Sequence, residues 1–274
     1  MSFTDIELEI RDPVAILRLN RPDRLNAVTY HTLAEIRWAI DTAAADPRVV
    51  GIVITGNGRG FSAGLDAAVL AEVTSRETPP ENTAPESQDL PGIFSYLLEV
   101  PKPVIAAVNG VAAGGGLILA LMSDLRIAST DASFTTVFLK RGLIAEHGSS
   151  WLLPRMVGIS RALDLLWMSD KIDAATAREI GLVDRVTAPD NLLPAACEYI
   201  ERLAVTVPPA AIAETKRLVY RHLGTDYVTA LREAEVSQNR FVTAPDAFEG
   251  ARSFLERRPP RFARLGVTHQ EDVS

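Results

Sequence analysis

Two glycine-rich segments carry the chemistry that is legible in this chain. In the first, Asn109 to Ala120, Gly114, Gly115 and Gly116 separate a strand-like run, Val104 to Val108, from an apolar helical run beginning near Leu117. Glycines in series cost backbone entropy, so at an element junction they imply that backbone must come close to something. A helix start offers unpaired N–H groups and the positive end of a dipole. Together these make a site for negative charge, either a bound phosphate or an oxyanion that develops during reaction. The second segment, Gly56 to Asp66, follows a buried-strand pattern from Val49 to Thr55; alone it reads equally well as a plain turn. The phosphate-loop pattern Gly-x-x-x-x-Gly-Lys-Ser/Thr is absent, and no Gly-x-Gly-x-x-Gly stands at a strand-to-helix junction with an acidic residue beyond. What remains is one backbone donor from each loop, converging on a single oxygen.

The elements around these loops form a rhythm. Ile6, Leu8 and Ile10 alternate with Glu7 and Glu9 as in a half-buried strand, Asp12-Pro13 makes a turn, and Ala15 to Asn20 returns as a second strand. Thr29 to Ala45 predicts a helix with Leu33, Ile36 and Ile40 on one face, and a short helix runs from Asp66 towards Glu72. A strand at Leu125 to Ala128 follows the glycine-led helix, so the chain suits stacked ββα turns. Thr74 to Gly92 is rich in Pro, Ser, Thr, Glu and Gln and predicts a mobile surface loop. Beyond about residue 188 four helical patterns follow: Leu192 to Val205, Ala210 to Leu223, Tyr227 to Val242 and Pro245 to Arg257.

Composition narrows the function classes. The 274 residues are 47% hydrophobic and 23% charged, as in an ordinary soluble domain with a sizeable core. The net charge of −7 argues against nucleic acid as a main partner. No segment reaches the roughly 18 apolar residues of a membrane span, and Met1 to Glu7 has no signal-peptide pattern, so a cytoplasmic protein is expected. Cys197 stands alone in a helical run and predicts a packed thiol. His31, His222 and His269 lack metal-ligand spacing, and Ser62 lies outside a nucleophile elbow.

Phe61-Ser-Ala-Gly-Leu-Asp66, Pro103 to Gly110, the triple glycine and Ser123 to Ala128 resemble the crotonase superfamily, the enoyl-CoA hydratase/isomerase family. Asn20 to Ala27, Ala177 to Asp184 and Glu249 to Arg258 match in order, so the likeness covers nearly the whole chain. It implies an α/β fold: a crotonase-like spiral of repeated ββα units over 1–190, and a C-terminal helical oligomerisation region over 191–274 that builds homotrimers or hexamers. The implied activity stabilises a thioester enolate between the N–H groups of Leu65 and Gly115. Coenzyme A enters as part of the substrate, with no separate cofactor and no metal.

The resemblance assigns substrate and CoA contacts to Arg24, Leu25, Ala27, Ala63, Asp66, Phe138, Trp151, Arg257 and Arg258. Asp66 also suits the cap of the following helix. Hydratases of the family use two glutamates, and at the matching positions this chain has Ile118 and Phe138. Gly142 to Gly148 instead resembles the segment in which dienoyl-CoA isomerases and certain dehalogenases carry their working carboxylate, which falls here on Glu146. With Ile144, Phe138 and Trp151 beside it, that carboxylate is expected to be partly desolvated and to move protons near neutral pH. Its neighbour His147 is expected to point away, as adjacent side chains do in an extended loop. Isomerisation fits one carboxylate better than hydration. The alternatives are an enoyl-CoA hydratase of fatty-acid degradation and an inactive acyl-CoA-binding or scaffolding protein.

Overall fold

The computed structural model describes residues 3–75 and 92–266. The proline-rich segment expected to form a surface loop, Thr74 to Gly92, lies outside the described residues over 76–91.

Two sheets stack along the chain. β1 (Ile6–Arg11) and β2 (Val14–Leu19) form an antiparallel hairpin with Ile6 opposite Leu19. Parallel strands β3 (Gly51–Gly56), β5 (Val104–Val108), β7 (Leu125–Ser129) and β10 (Arg185–Thr187) extend it in the order β1-β2-β3-β5-β7-β10. The second sheet has the order β4-β6-β8-β9, from Gly60–Ser62, Val111–Ala113, Ser133–Thr135 and Ile172–Asp173. After β3, β5 and β7 the chain steps directly onto β4, β6 and β8, so three successive turns stack as a spiral of ββα units. The first two turns continue into α2 (Ala67–Thr74) and α3 (Gly115–Met122); the third continues into α4 (Ser149–Val157), α5 (Ile159–Met168) and α6 (Ala174–Glu179). β3 and β5 are covered on both faces, which explains why they read as unbroken apolar runs rather than alternating patterns.

One face of the main sheet is covered by α1 (Tyr30–Ala45). Thr29 and Thr32 form a reciprocal cap at its start, and Ile36, Ala39, Ile40 and Ala43 are buried. The opposite face is covered by α7 (Leu192–Thr206), whose Leu192, Ala196, Cys197 and Ile200 pack with Val14, Ile16, Val53, Ile105 and Ile127. The helix lies so close that a Cβ on Gly51 would stand 2.8 Å from Ile200. Cys197 is buried there, and burial raises its thiol pKa above the ordinary value, as suits an inert packing group.

The helices after α7 are attached differently. α8 (Pro209–His222) is tied to the core by Lys216, whose Nζ reaches Asp124 Oδ2 at 2.7 Å and Leu97 O at 2.9 Å. The Tyr220 hydroxyl donates to Asp124 Oδ1 at 2.8 Å, and Asp124 also accepts from Val104 N. α9 (Tyr227–Val242) and α10 (Pro245–Glu256) leave Val236, Phe248, Phe254 and Leu255 exposed. Among the described residues no helix is long and apolar enough to cross a membrane.

Candidate active site

The paired donors expected from the two glycine loops are brought together. Val28 N donates to Gly64 O at 2.8 Å and Asp66 N to Val28 O at 2.9 Å, which makes a parallel bridge between Val28 and Leu65. In that pattern the N–H of Leu65 itself points away from Val28. Gly115 is the first residue of α3, where an N–H has no partner within the helix. Among the described residues neither amide donates a hydrogen bond. A Cβ on Gly115 would stand 3.8 Å from Leu65 N and 3.7 Å from Gly64 Cα, so the two amides flank one small space.

Gly64 and Gly116 are both needed for this approach. Gly64 has a φ of +86°, and a Cβ there would lie 2.6 Å from Ala113 O and 2.9 Å from Gly115 N. Gly116 lets α3 sit on β4, since a Cβ would come within 2.2 Å of Ser62 O. The Ser62 hydroxyl is fully buried and donates to Asn26 O at 2.8 Å, which is a structural use.

The segment from Arg21 to Ala27 backs the first loop. Leu25 and Asn26 take φ values of 50° and 56°, and Asn26 holds this bend by accepting from Arg21 N and donating to Gly60 O at 2.7 Å. Ala63 N donates to Leu25 O at 2.9 Å, and Ala27 is buried beside it with its carbonyl bonded by Arg21. Asn26 is thus the residue that aligns this wall; its place in the Asn20 to Ala27 motif was its only signal in the sequence. Asp66 caps α2 by accepting from Ala68 N at 3.1 Å and pairs with Arg21 at 3.2 Å. Those two contacts hold its carboxyl below the ordinary aspartate range. Arg24 stands exposed next to this pair.

Glu146 lies on the loop between the 3-10 turn Leu139–Arg141 and α4, with its side chain about one-third exposed (34%). The wall expected around it is only partly present. Phe138 is buried, with Cε1 3.9 Å from where a Cβ on Gly114 would stand, and Ile118 is fully buried in α3. Ile144, in contrast, is 77% exposed and adds no apolar wall to the carboxylate. Trp151 has the Arg155 guanidinium 4.0 Å over its ring and lines a groove of about 900 Å³ with Leu98, Val100, Tyr220 and Phe241. The Glu146 loop connects to the amides through Gly92 and Ile93. His147 Cα lies 4.0 Å from a Cβ position on Gly92, and Ile93 Cδ1 lies 3.6 Å from the one on Gly115.

A second expectation is corrected here. His147 has a φ of 51°, so the loop is not extended at this point, and its Nε2 comes to 3.9 Å from Glu146 Oε2. Burial pushes its pKa below the ordinary histidine value, partly offset by Glu146.

Of the C-terminal cations, Arg258 is occupied within its own chain: it donates to both Glu249 oxygens at 2.6 and 2.9 Å and to Glu256 at 2.6 Å. It is therefore less available to a phosphate than expected. Arg257 is exposed at the left-handed end of α10 and has no ion-pair partner among the described residues.

Comparison with known proteins agrees with this architecture. The family model for enoyl-CoA hydratase/isomerase matches residues 9–264. A crotonyl-CoA hydratase of Syntrophomonas wolfei is 35% identical over 264 residues, covering 96% of this chain and 99% of that protein. A 1,2-epoxyphenylacetyl-CoA isomerase of Escherichia coli is 34% identical, covering 91% and 94%. The crystal structure of an enoyl-CoA hydratase from Mycobacterium tuberculosis superposes with a TM-score of 0.84 at 33% identity, covering 94% of this chain and 98% of the other. The chain belongs to the enoyl-CoA hydratase/isomerase family.

Proposed function

We propose that this acyl-CoA enzyme relocates a double bond along the acyl chain of its substrate. The observation that carries the reading is the pair of unbonded amides, Leu65 N and Gly115 N, flanking one space, with the loop of Glu146 and His147 reaching it through Gly92 and Ile93. The thioester oxygen binds between the amides. Glu146 takes a proton from the acyl chain, the electron pair flows into the thioester as an enolate, and Glu146 delivers a proton to the far end of the allylic system. Fixed N–H dipoles aimed at that oxygen stabilise the charge as it forms, and one such donor contributes about 10²–10³ in rate. Relocating a proton needs one base, whereas adding water needs a group for the water and a group for carbon. The two positions matching hydratase glutamates hold the buried side chains Ile118 and Phe138.

Coenzyme A is part of the substrate, and the reaction calls for no separate cofactor or metal. Arg24 and Arg257 are the exposed cations offered to its phosphates. The exposed Phe248, Phe254 and Leu255 of α10 support a homotrimer or hexamer in which this helix meets a neighbouring subunit.

The test is turnover of 3-enoyl-CoA and 2-enoyl-CoA esters by the purified protein and by Glu146→Gln. The variant is expected to bind acyl-CoA with unchanged affinity and to lose about 10²–10⁴ in turnover, the usual contribution of a positioned acid–base group. Wild-type turnover by Glu146→Gln would sink the proposal. The second reading, hydration, is favoured by the names of similar proteins; 3-hydroxyacyl-CoA formation outpacing isomerisation would replace the first reading with it. Binding without turnover of either ester would leave a scaffolding protein.

A further inference from the structure

The turn at His147 gives Glu146 a partner. Adjacent side chains on extended backbone point to opposite faces, but a left-handed residue reverses the chain direction locally. That reversal sets Nε2 of His147 3.9 Å from Oε2 of Glu146. The two side chains are 33% and 34% exposed, so the pair has one side in the protein and one in solvent. Few residues other than glycine take this conformation, and histidine is among those that take it more readily; here it joins two groups that can both carry a proton. Burial keeps the imidazole below its ordinary pKa, hence neutral near pH 7. A neutral imidazole accepts a proton on one nitrogen while it releases one from the other.

We propose that His147 is the proton exit of this site, exchanging with water the proton that Glu146 moves on the acyl chain. This rests on the reading of Glu146 as the base. The C–H bond next to the thioester breaks, its electron pair enters the enolate, and the proton forms an O–H bond on Glu146. The carboxyl passes it to Nε2 of His147 while Nδ1 gives up its own proton to water, leaving a neutral imidazole in the other tautomer. The same path run backwards delivers a solvent proton through Glu146 to the far carbon, so one proton leaves, one arrives, and nothing is oxidised. The 3.9 Å gap exceeds a hydrogen bond by about 1 Å, which a small rotation or one bridging water closes. Since His147 acts through Glu146, it is a relay and positioning residue rather than a group on the substrate.

The experiment follows a 3-enoyl-CoA ester in D₂O and measures deuterium incorporated per turnover, for wild type, His147→Asn, His147→Gln and Glu146→Gln. Asparagine tolerates the left-handed conformation, so the loop keeps its course; acyl-CoA binding and the melting temperature check this for both variants. The expected result is that the His147 variants still turn over but carry several-fold less deuterium per turnover, because the proton held by Glu146 returns to the same molecule. A residue that merely shaped the loop would slow turnover without moving that ratio. An unchanged ratio, or both variants turning over as wild type with full incorporation, overturns the relay while leaving Glu146 as base. Undiminished turnover by Glu146→Gln overturns the reading beneath it, and no deuterium uptake by wild type overturns the relay outright.

Discussion

Leu65 and Gly115 share one small space: a methyl group on Gly115 would stand 3.8 Å from Leu65 N, with Ile93 Cδ1 at 3.6 Å. These are ordinary contact distances, so the protein itself has room for that methyl. What it would fill is the position in front of both amides.

Gly115→Ala is therefore expected to fold. Alanine is the better helix former, and the melting temperature should hold or rise slightly. Turnover should fall by about 10²–10³, the loss typical of one missing oxyanion donor, because the thioester oxygen is pushed off the amides. Gly64→Ala behaves differently. Its Cβ meets Ala113 O at 2.6 Å on a backbone at φ +86°, so loss of folded protein is expected there. Kinetics beside thermal melting separates the two, and a Gly115→Ala protein with wild-type turnover would contradict the site geometry.

Asp124 is the joint between the spiral and α8. It accepts from Lys216, Tyr220 and Val104 N, and the Lys216 side chain is only 8% exposed. Burial pushes the lysine below its ordinary pKa and Asp124 opposes that shift. Asp124→Ala leaves a buried ammonium without its counter-charge, a change that costs about 3–5 kcal/mol. The double variant Asp124→Asn with Lys216→Met removes both charges and should cost clearly less. Urea unfolding of the three proteins measures the difference; equal losses would mean that the ion pair is not what holds α8.

Much of this is legible in the sequence. The strand at Val104 to Val108 and the helix from Tyr227 to Val242 fall where their patterns put them, because parallel buried strands and amphipathic helices write their periods into the chain. The helix after the triple glycine begins at Gly115 rather than near Leu117, since glycines that permit close approach carry no apolar signal of their own. The short strands β4, β6 and β8 are too brief for any period, and only their pairing across stacked turns defines them. At the site, the amide pair could be anticipated from two glycine loops. The Glu146–His147 contact could not, because it depends on one left-handed φ in a loop whose sequence permits either course. Arg258 shows the same limit: a basic cluster in the sequence does not reveal which member is already held by Glu249 and Glu256.

That distinction among the arginines gives the last prediction. Arg24 and Arg257 are exposed, and neither has an ion-pair partner among the described residues, whereas Arg258 is held by two carboxylates. An acidic protein that binds a polyanion relies on such free local cations, and their attraction is screened by salt. Arg24→Ala and Arg257→Ala should each weaken binding of a CoA ester by up to about fivefold, the scale of one exposed charge contact. Each should also flatten the dependence of affinity on salt. Arg258→Ala should instead lower the melting temperature, because Glu249 loses its ion-pair partner and Glu256 keeps only Arg252 at the end of α10, and should change the salt dependence less. Isothermal titration with a saturated acyl-CoA at two salt concentrations gives the comparison. If Arg258→Ala weakened binding more than Arg257→Ala, the assignment of free and occupied cations would be reversed, and the Glu249 pair would have to open when CoA binds.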